Sequence, residues 1–141
     1  MKFMIETDVL YAVMKREDPL KRLARLVLTK SRKLLCSSVS LVEVLSVLKA
    51  LGKFESLASK VGLLGSFSNI EFVPVTPEIA EKAANIHMKW KLTFFDSFYV
   101  ATAMALDATL VSSDTAFKEV AGLRYVSVSE YVSKVLGERV I

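Results

Sequence analysis

The chain has 141 residues, 52% of them apolar, with a mean hydropathy of +0.41 and a formal charge of +4. That length holds a core without staples, so residues 1–141 are expected to form one domain, and no apolar run reaches the roughly 20 residues of a membrane span. A lone cysteine, Cys36, excludes an internal disulfide, so a soluble chain working in the reducing cytoplasm, away from membranes, is expected.

In chain order, a first strand is expected over KFMIET, residues 2–7, followed by a short helix over VLYAVMK. Acids at Glu6 and Asp8 interrupt any leader-like apolar segment and argue against a secretory signal. Asp18 and Pro19 suit an N-cap and a first helical position, launching a basic helix over LKRLARLVLTK. KLLCSS makes a second strand, in which Cys36 reads as a small buried apolar residue. Ser40 caps LVEVLSVLKAL, Gly52 ends it, and Lys53 to Phe67 continues as a helical segment weakened by two glycines.

IEFVPV forms the third strand, and Thr76 with Pro77 opens a helix running through AEKAANIHMKWK. A further helix from Ser97 to Leu106 leads into the strand ATLVSS; Asp114 begins a short helix, DTAFKEVA; RYVSV is a fifth strand and EYVSKVLG closes the chain. Strands alternating with helices, several of them continuous apolar runs, predict an α/β fold with a mainly parallel sheet of about five strands covered on both faces.

Charge is unevenly placed. Eight of the 19 basic residues fall between Lys15 and Lys33, including Lys15, Arg16, Lys21, Arg22 and Arg25. Such a patch suits a polyanion, although a solvated helix face would look the same. The acids show a different regularity: Glu6 and Asp8 end the first strand, Glu43 follows the second, Asp96 follows a loop, and Asp114 directly follows ATLVSS. In open parallel sheets these strand-to-helix junctions share one edge, where ligands bind at the point of strand reversal.

Each acid also has a purely structural role open to it. Ser40-x-x-Glu43 matches a capping box, and Asp96 and Asp114 could each be the N-cap of the helix that follows. Asp107 is expected in a solvent-facing turn. Capping, however, needs no carboxylate in particular, and like charges gathered closely raise one another's pKa unless a cation offsets them. An all-oxygen set selects Mg²⁺ or Mn²⁺, and zinc is disfavoured with one histidine, His87, and one cysteine present.

With those residues in place, the chain resembles a PIN domain, most closely the VapC-type ribonuclease toxins. FDSFYVATAMALDATLVSSDTAF is similar to the family's aspartate opening an alanine-rich helix, then a strand, then Thr/Ser-x-Asp with a nearby Phe; IETDVLYAV resembles the amino-terminal motif, and SLVEVLSVL the helix carrying the family glutamate. The resemblance implies a three-layer α/β/α sandwich. It also implies that Glu43, Asp96 and Asp114 belong to a metal site, with Thr7 and the Ser112 hydroxyl in support.

Glu6 departs from the pattern, standing where the family usually has aspartate. If the strand persists, Glu6 and Asp8 project to the same side, and either could be the first ligand. The implied catalytic acids are therefore Glu6, Glu43, Asp96 and Asp114, and the implied metal ligands are these four with Asp8.

The activity implied is metal-dependent hydrolysis of an RNA phosphodiester by an endoribonuclease using Mg²⁺ or Mn²⁺. Lys15, Arg16, Lys21, Arg22, Arg25, Lys49 and Lys53 would bind the RNA backbone. A homodimer is implied too, as is a small antitoxin that wraps the chain and pushes an arginine into the acidic site. Two alternatives stand beside this. One is a catalytically weakened PIN domain acting as an RNA- or protein-binding module. The other is a phosphotransfer fold suggested by the acid-x-acid look of ETD, which lacks a leading aspartate.

Overall fold

The computed structural model describes Met1–Ile141. Five parallel strands, β1 (Lys2–Ile5), β2 (Leu34–Ser37), β3 (Ile70–Val73), β4 (Ala108–Ser112) and β5 (Tyr125–Ser127), form one sheet in the order β3-β2-β1-β4-β5. The central strand β1 pairs Ile5 with Cys36 of β2 on one side and with Val111 of β4 on the other. From β1 the chain steps outward to β2 and β3, then returns to lay β4 against the opposite edge of β1. The strand order therefore reverses between β1 and β4, and that is the crevice at which open α/β sheets bind ligands.

Strand periodicity divides the core into two. Ile5, Leu34, Cys36 and Val111 face one side, where they pack with helices α1 (Thr7–Met14), α2 (Lys21–Lys30), α3 (Val39–Ala50) and α7 (Val128–Glu130). Met4, Leu35 and Leu110 face the other, where α5 (Pro77–Lys89) and α6 (Phe94–Ala105) cover them. Because both faces are covered, alternation of two consecutive apolar residues serves two cores, and the strands read as unbroken apolar runs. The three-layer α/β/α sandwich is thus as expected from the sequence. No helix is long and apolar enough to cross a membrane.

Several element boundaries differ from the sequence reading, each for a local reason. The first strand stops at Ile5, and Glu6 is the N-cap of α1, accepting the Asp8 amide at 2.9 Å. Asp8 therefore lies in a helix, and the strand rule that put Glu6 and Asp8 on one side does not apply. Asp18 accepts the Leu20 amide at 2.7 Å but does not cap α2, which follows Leu20 and starts at Lys21, two residues after the expected Pro19. Ser40 is inside α3, which begins at Val39, so it caps nothing and its buried hydroxyl has no partner.

Lys53 to Phe67 is only briefly α-helical, as α4 (Phe54–Leu57), before tightening into 3₁₀ turns over Ala58–Ser66. Glycines at 62 and 65 lower helix propensity there. α6 begins three residues before the expected Ser97, because Thr93 caps it through the Asp96 amide at 3.2 Å. Asp107 has φ of 54° in an exposed turn, where it pairs with Arg124. After β5 the chain makes the short α7 and a wide, π-type turn over Tyr131–Val135.

Candidate functional site

Four elements meet at the carboxyl end of β1 and β4. Glu6, Thr7, Asp8 and Tyr11 come from the β1–α1 junction, Glu43 and Val47 from α3, Thr93 and Asp96 from the start of α6, and Asp114 from the turn after β4; together they line an open pocket of about 320 Å³. All five acids that the sequence suggested as metal ligands are in that lining. The larger separation in sequence, Glu6 to Asp114, is closed by the β1·β4 pairing, which sets Ile5 beside Val111 and so brings the next residues of both strands to one edge.

The acids differ in how they are held. Glu6 is 5% exposed, with one carboxylate oxygen on the Asp8 amide and the other accepting the Ser112 hydroxyl at 2.7 Å. Asp8 accepts the Ser113 amide at 2.6 Å and the Ser113 hydroxyl at 2.5 Å through the same oxygen. Its second oxygen, Oδ1, is buried without any partner. Ser112 has a single hydroxyl proton, and its shorter contact directs that proton to Glu6; the Ser112 oxygen also accepts the Asp114 amide at 3.0 Å. Ser112 thus ties β4 to β1.

Glu43 accepts the Tyr99 hydroxyl at 2.6 Å through Oε1. The capping-box role for Glu43 is therefore not realised. Nor is an N-cap role for Asp96, which sits in the first turn of α6 behind Thr93. Asp114 does cap the 3₁₀ turn Thr115–Glu119, accepting the Ala116 amide at 2.9 Å with one oxygen and leaving the other without a hydrogen bond.

Electrostatics explains why these carboxyl groups need a counter-charge. Burial raises Glu6 well above the usual carboxylate range, and the neighbouring Asp8 charge raises it further against hydrogen bonds from Ser112 and the Asp8 amide. Asp8 is raised by burial, opposed by its Ser113 bonds. Asp96 is pushed up to about 6, first by burial, with the Glu43, Asp114 and Asp8 charges adding and the Thr93 hydroxyl opposing. No lysine, arginine or histidine forms an ion pair with any of the five; the four salt bridges of the molecule are elsewhere.

The donor chemistry suits a hard divalent cation: carboxylate oxygens, raised pKa values and the orphaned Oδ1 of Asp8. As placed, however, no three His, Cys, Asp or Glu side chains stand together closely enough to hold an ion. Glu6 and Asp8 are engaged by serine hydroxyls and amides, so the donors are assembled on one wall without a closed cage.

The basic residues lie next door. Lys15, Arg16, Lys21, Arg25 and Lys53 rim a groove of about 950 Å³ floored by apolar side chains including Met14, Leu28, Leu57 and Phe67. Lys15 stacks over the Tyr11 ring at 4.3 Å, and Tyr11 lines the acidic pocket, so α1 joins groove to pocket. Part of the positive charge is already engaged: Lys15 pairs with Asp18 at 3.0 Å, and Arg22 donates to the backbone of Arg139 at 2.9 Å and of Val140 at 3.2 Å. Arg22 and Lys49 stand outside the groove, and Lys60, which the sequence reading did not single out, lines it.

Tyr11, Thr93 and Ser113 were also missed as site residues. The spacing Thr93-x-x-Asp96 fits an N-cap and its third helical residue, and was open to notice. Cys36 is fully buried with its thiol pushed up to about 12, in keeping with an inert core residue. His87 is exposed, with its ring near Phe94 and Nδ1 3.4 Å from the Ser97 hydroxyl, and takes no part in the pocket.

A family model for the PIN domain matches residues 3–123. The chain belongs to the PIN-domain family. Solved structures of similar fold include VapBC2 from Rickettsia felis bound to a DNA fragment from their promoter, with a TM-score of 0.68 at 22% identity over 90% of this chain and 98% of that one. VapC20 from Mycobacterium tuberculosis, described as a sarcin-ricin loop cleaving toxin, gives 0.73 at 18% identity over 86% and 96%. A Pyrobaculum aerophilum protein gives 0.68 at 14% identity over 98% and 97%. No curated protein matches the chain in sequence.

Proposed function

We propose that the chain is a metal-dependent endoribonuclease of the VapC toxin type. The observation that carries this reading is the convergence of Glu6, Asp8, Glu43, Asp96 and Asp114 on one pocket with no basic side chain to balance them. Glu43, Asp96 and Asp114, with Glu6 or Asp8, would hold Mg²⁺ or Mn²⁺. When bound, such an ion would supply activated water and offset charge on the scissile phosphate.

The chain's own residues have simpler tasks. Ser112 and Ser113 hold Glu6 and Asp8 at the wall between β1 and β4. The rim formed by Arg16, Arg25, Lys53 and Lys60 would draw the phosphate backbone toward the pocket without choosing a sequence. The VapBC complexes among proteins of like fold support a small antitoxin partner and a toxin role. Exposed Met88 and Phe94, on the packed pair α5 and α6, suit contact with a second copy.

A quenched single-stranded RNA incubated with the purified chain tests this. Cleavage that needs Mn²⁺ or Mg²⁺ and disappears in Asp96→Asn is the expected result. One observation favours a second reading, a PIN domain that binds without cutting: Glu6 and Asp8 are already hydrogen bonded and no three acids form a cage. RNA binding by wild type with no turnover in either metal would decide for it.

A further inference from the structure

Tyr99 does not line the acidic pocket, yet it touches two residues that do. The side chain is fully buried. Its hydroxyl lies 2.6 Å from Glu43 Oε1 and 2.7 Å from Thr7 Oγ1. A phenol has one proton, and a carboxylate only accepts. The proton therefore goes to Glu43, and the Thr7 hydroxyl must donate to the Tyr99 oxygen. The chain of donors runs in one direction, Thr7 to Tyr99 to Glu43.

Its three members belong to three elements. Thr7 is the first residue of α1, Tyr99 is on α6 in the core facing α5, and Glu43 is on α3. The ring is immobile because it is packed on all sides, whereas Glu43 is a long, half-exposed side chain with several rotamers open to it. A charge-assisted bond from a fixed donor selects one of them and leaves Oε2 free. A buried phenol needs some partner, but any carbonyl would have met that need; here the partner is an acid of the pocket.

We infer that Tyr99, held by Thr7, is a positioning residue that fixes the Glu43 carboxylate for divalent-metal binding. This rests on the nuclease reading above. Tyr99 plays toward Glu43 the part that outer hydrogen-bond partners play toward metal ligands in general, where their loss weakens metal affinity.

Tyr99→Phe removes the hydroxyl and keeps the ring. Calorimetric titration of the full chain with Mn²⁺ should show the dissociation constant rising about 10- to 100-fold, while the melting temperature in EDTA falls by only on the order of 5 °C. In metal-free protein the Tyr99 hydroxyl proton should give a slowly exchanging downfield NMR resonance, absent in Tyr99→Phe and displaced in Glu43→Gln.

Tyr99→Phe binding Mn²⁺ as tightly as wild type overturns the inference and leaves the nuclease reading standing. Wild type binding no Mn²⁺ that Asp96→Asn abolishes overturns both. If Tyr99→Phe does not fold, Thr7→Val cuts the same chain at its far end. It should weaken Mn²⁺ binding by a smaller factor, with Thr7→Ser restoring it, and wild-type affinity in Thr7→Val overturns the inference.

Discussion

Asp96 shows at the scale of one residue how the pocket stores unfavourable charge. Its folded pKa of about 6 exceeds the ordinary aspartate value, so between about pH 4 and 6 the folded chain holds a proton that the unfolded chain has released. The stability this proton confers is present below that window and lost as pH rises through it. At pH 7 the ionised side chain destabilises the fold by about 1–2 kcal/mol, a figure reduced for its partial exposure to solvent. Asp96→Asn should therefore raise the melting temperature in EDTA at pH 7 and leave it nearly unchanged at pH 4, as thermal unfolding followed by circular dichroism will read. Mn²⁺ should stabilise wild type at pH 7 more than at pH 5, since only ionised carboxylates bind it. The acids themselves were legible in the sequence because strand-to-helix junctions of a parallel sheet share one edge. The Tyr99 to Glu43 bond was not, because it depends on how α6 packs against α3, and that distance is written in no local pattern.

Elements, rather than residues, decide where the acids point. Thr93 caps α6 by accepting the Asp96 amide, so it fixes both the start of the helix and the residue that follows one turn in. Thr93→Ala should lower stability by about 1 kcal/mol in denaturant unfolding and reduce RNA cleavage by more than that loss explains, with Thr93→Ser tolerated. The sequence misplaced this cap because Phe94 and Phe95 read as loop or core residues ahead of the helix. The same kind of error put Ser40 at a cap and Asp8 on a strand: each boundary lies two residues earlier than expected, which puts both residues inside helices and turns their side chains to different neighbours. At Gly52, by contrast, the stop signal was unambiguous, since φ of 70° favours glycine. Gly52→Ala should cost about 1 kcal/mol, measured in the same way.

For the whole molecule, the apolar runs and their spacing announced a sheet covered on both faces, whereas the order β3-β2-β1-β4-β5, with its reversal beside β1, depends on long-range pairing that no local pattern records. The groove between α2 and the 3₁₀ turns after α4 was hidden, because Lys53 to Phe67 reads only as a helical segment weakened by two glycines. It gathers Arg25 and Lys53 from distant stretches of chain. With Asp96→Asn as a non-cutting background, single-stranded RNA affinity should fall as salt rises. Replacing Arg25 and Lys53 by Gln should reduce the log–log slope by about 1.4, roughly 0.7 for each phosphate the protein no longer neutralises. Fluorescence anisotropy across a salt series measures it.

On the nuclease reading proposed above, hydrolysis would require β1 and β4 to be paired. A nascent chain that has emerged only to Ala105 already carries Glu6, Asp8, Glu43 and Asp96, but lacks the Ser112–Ser113 hooks and Asp114 that hold and complete the acidic wall. On that same reading, such a chain would not cut RNA, and proteolytic removal of β4 would disarm the molecule while leaving most of its acids intact.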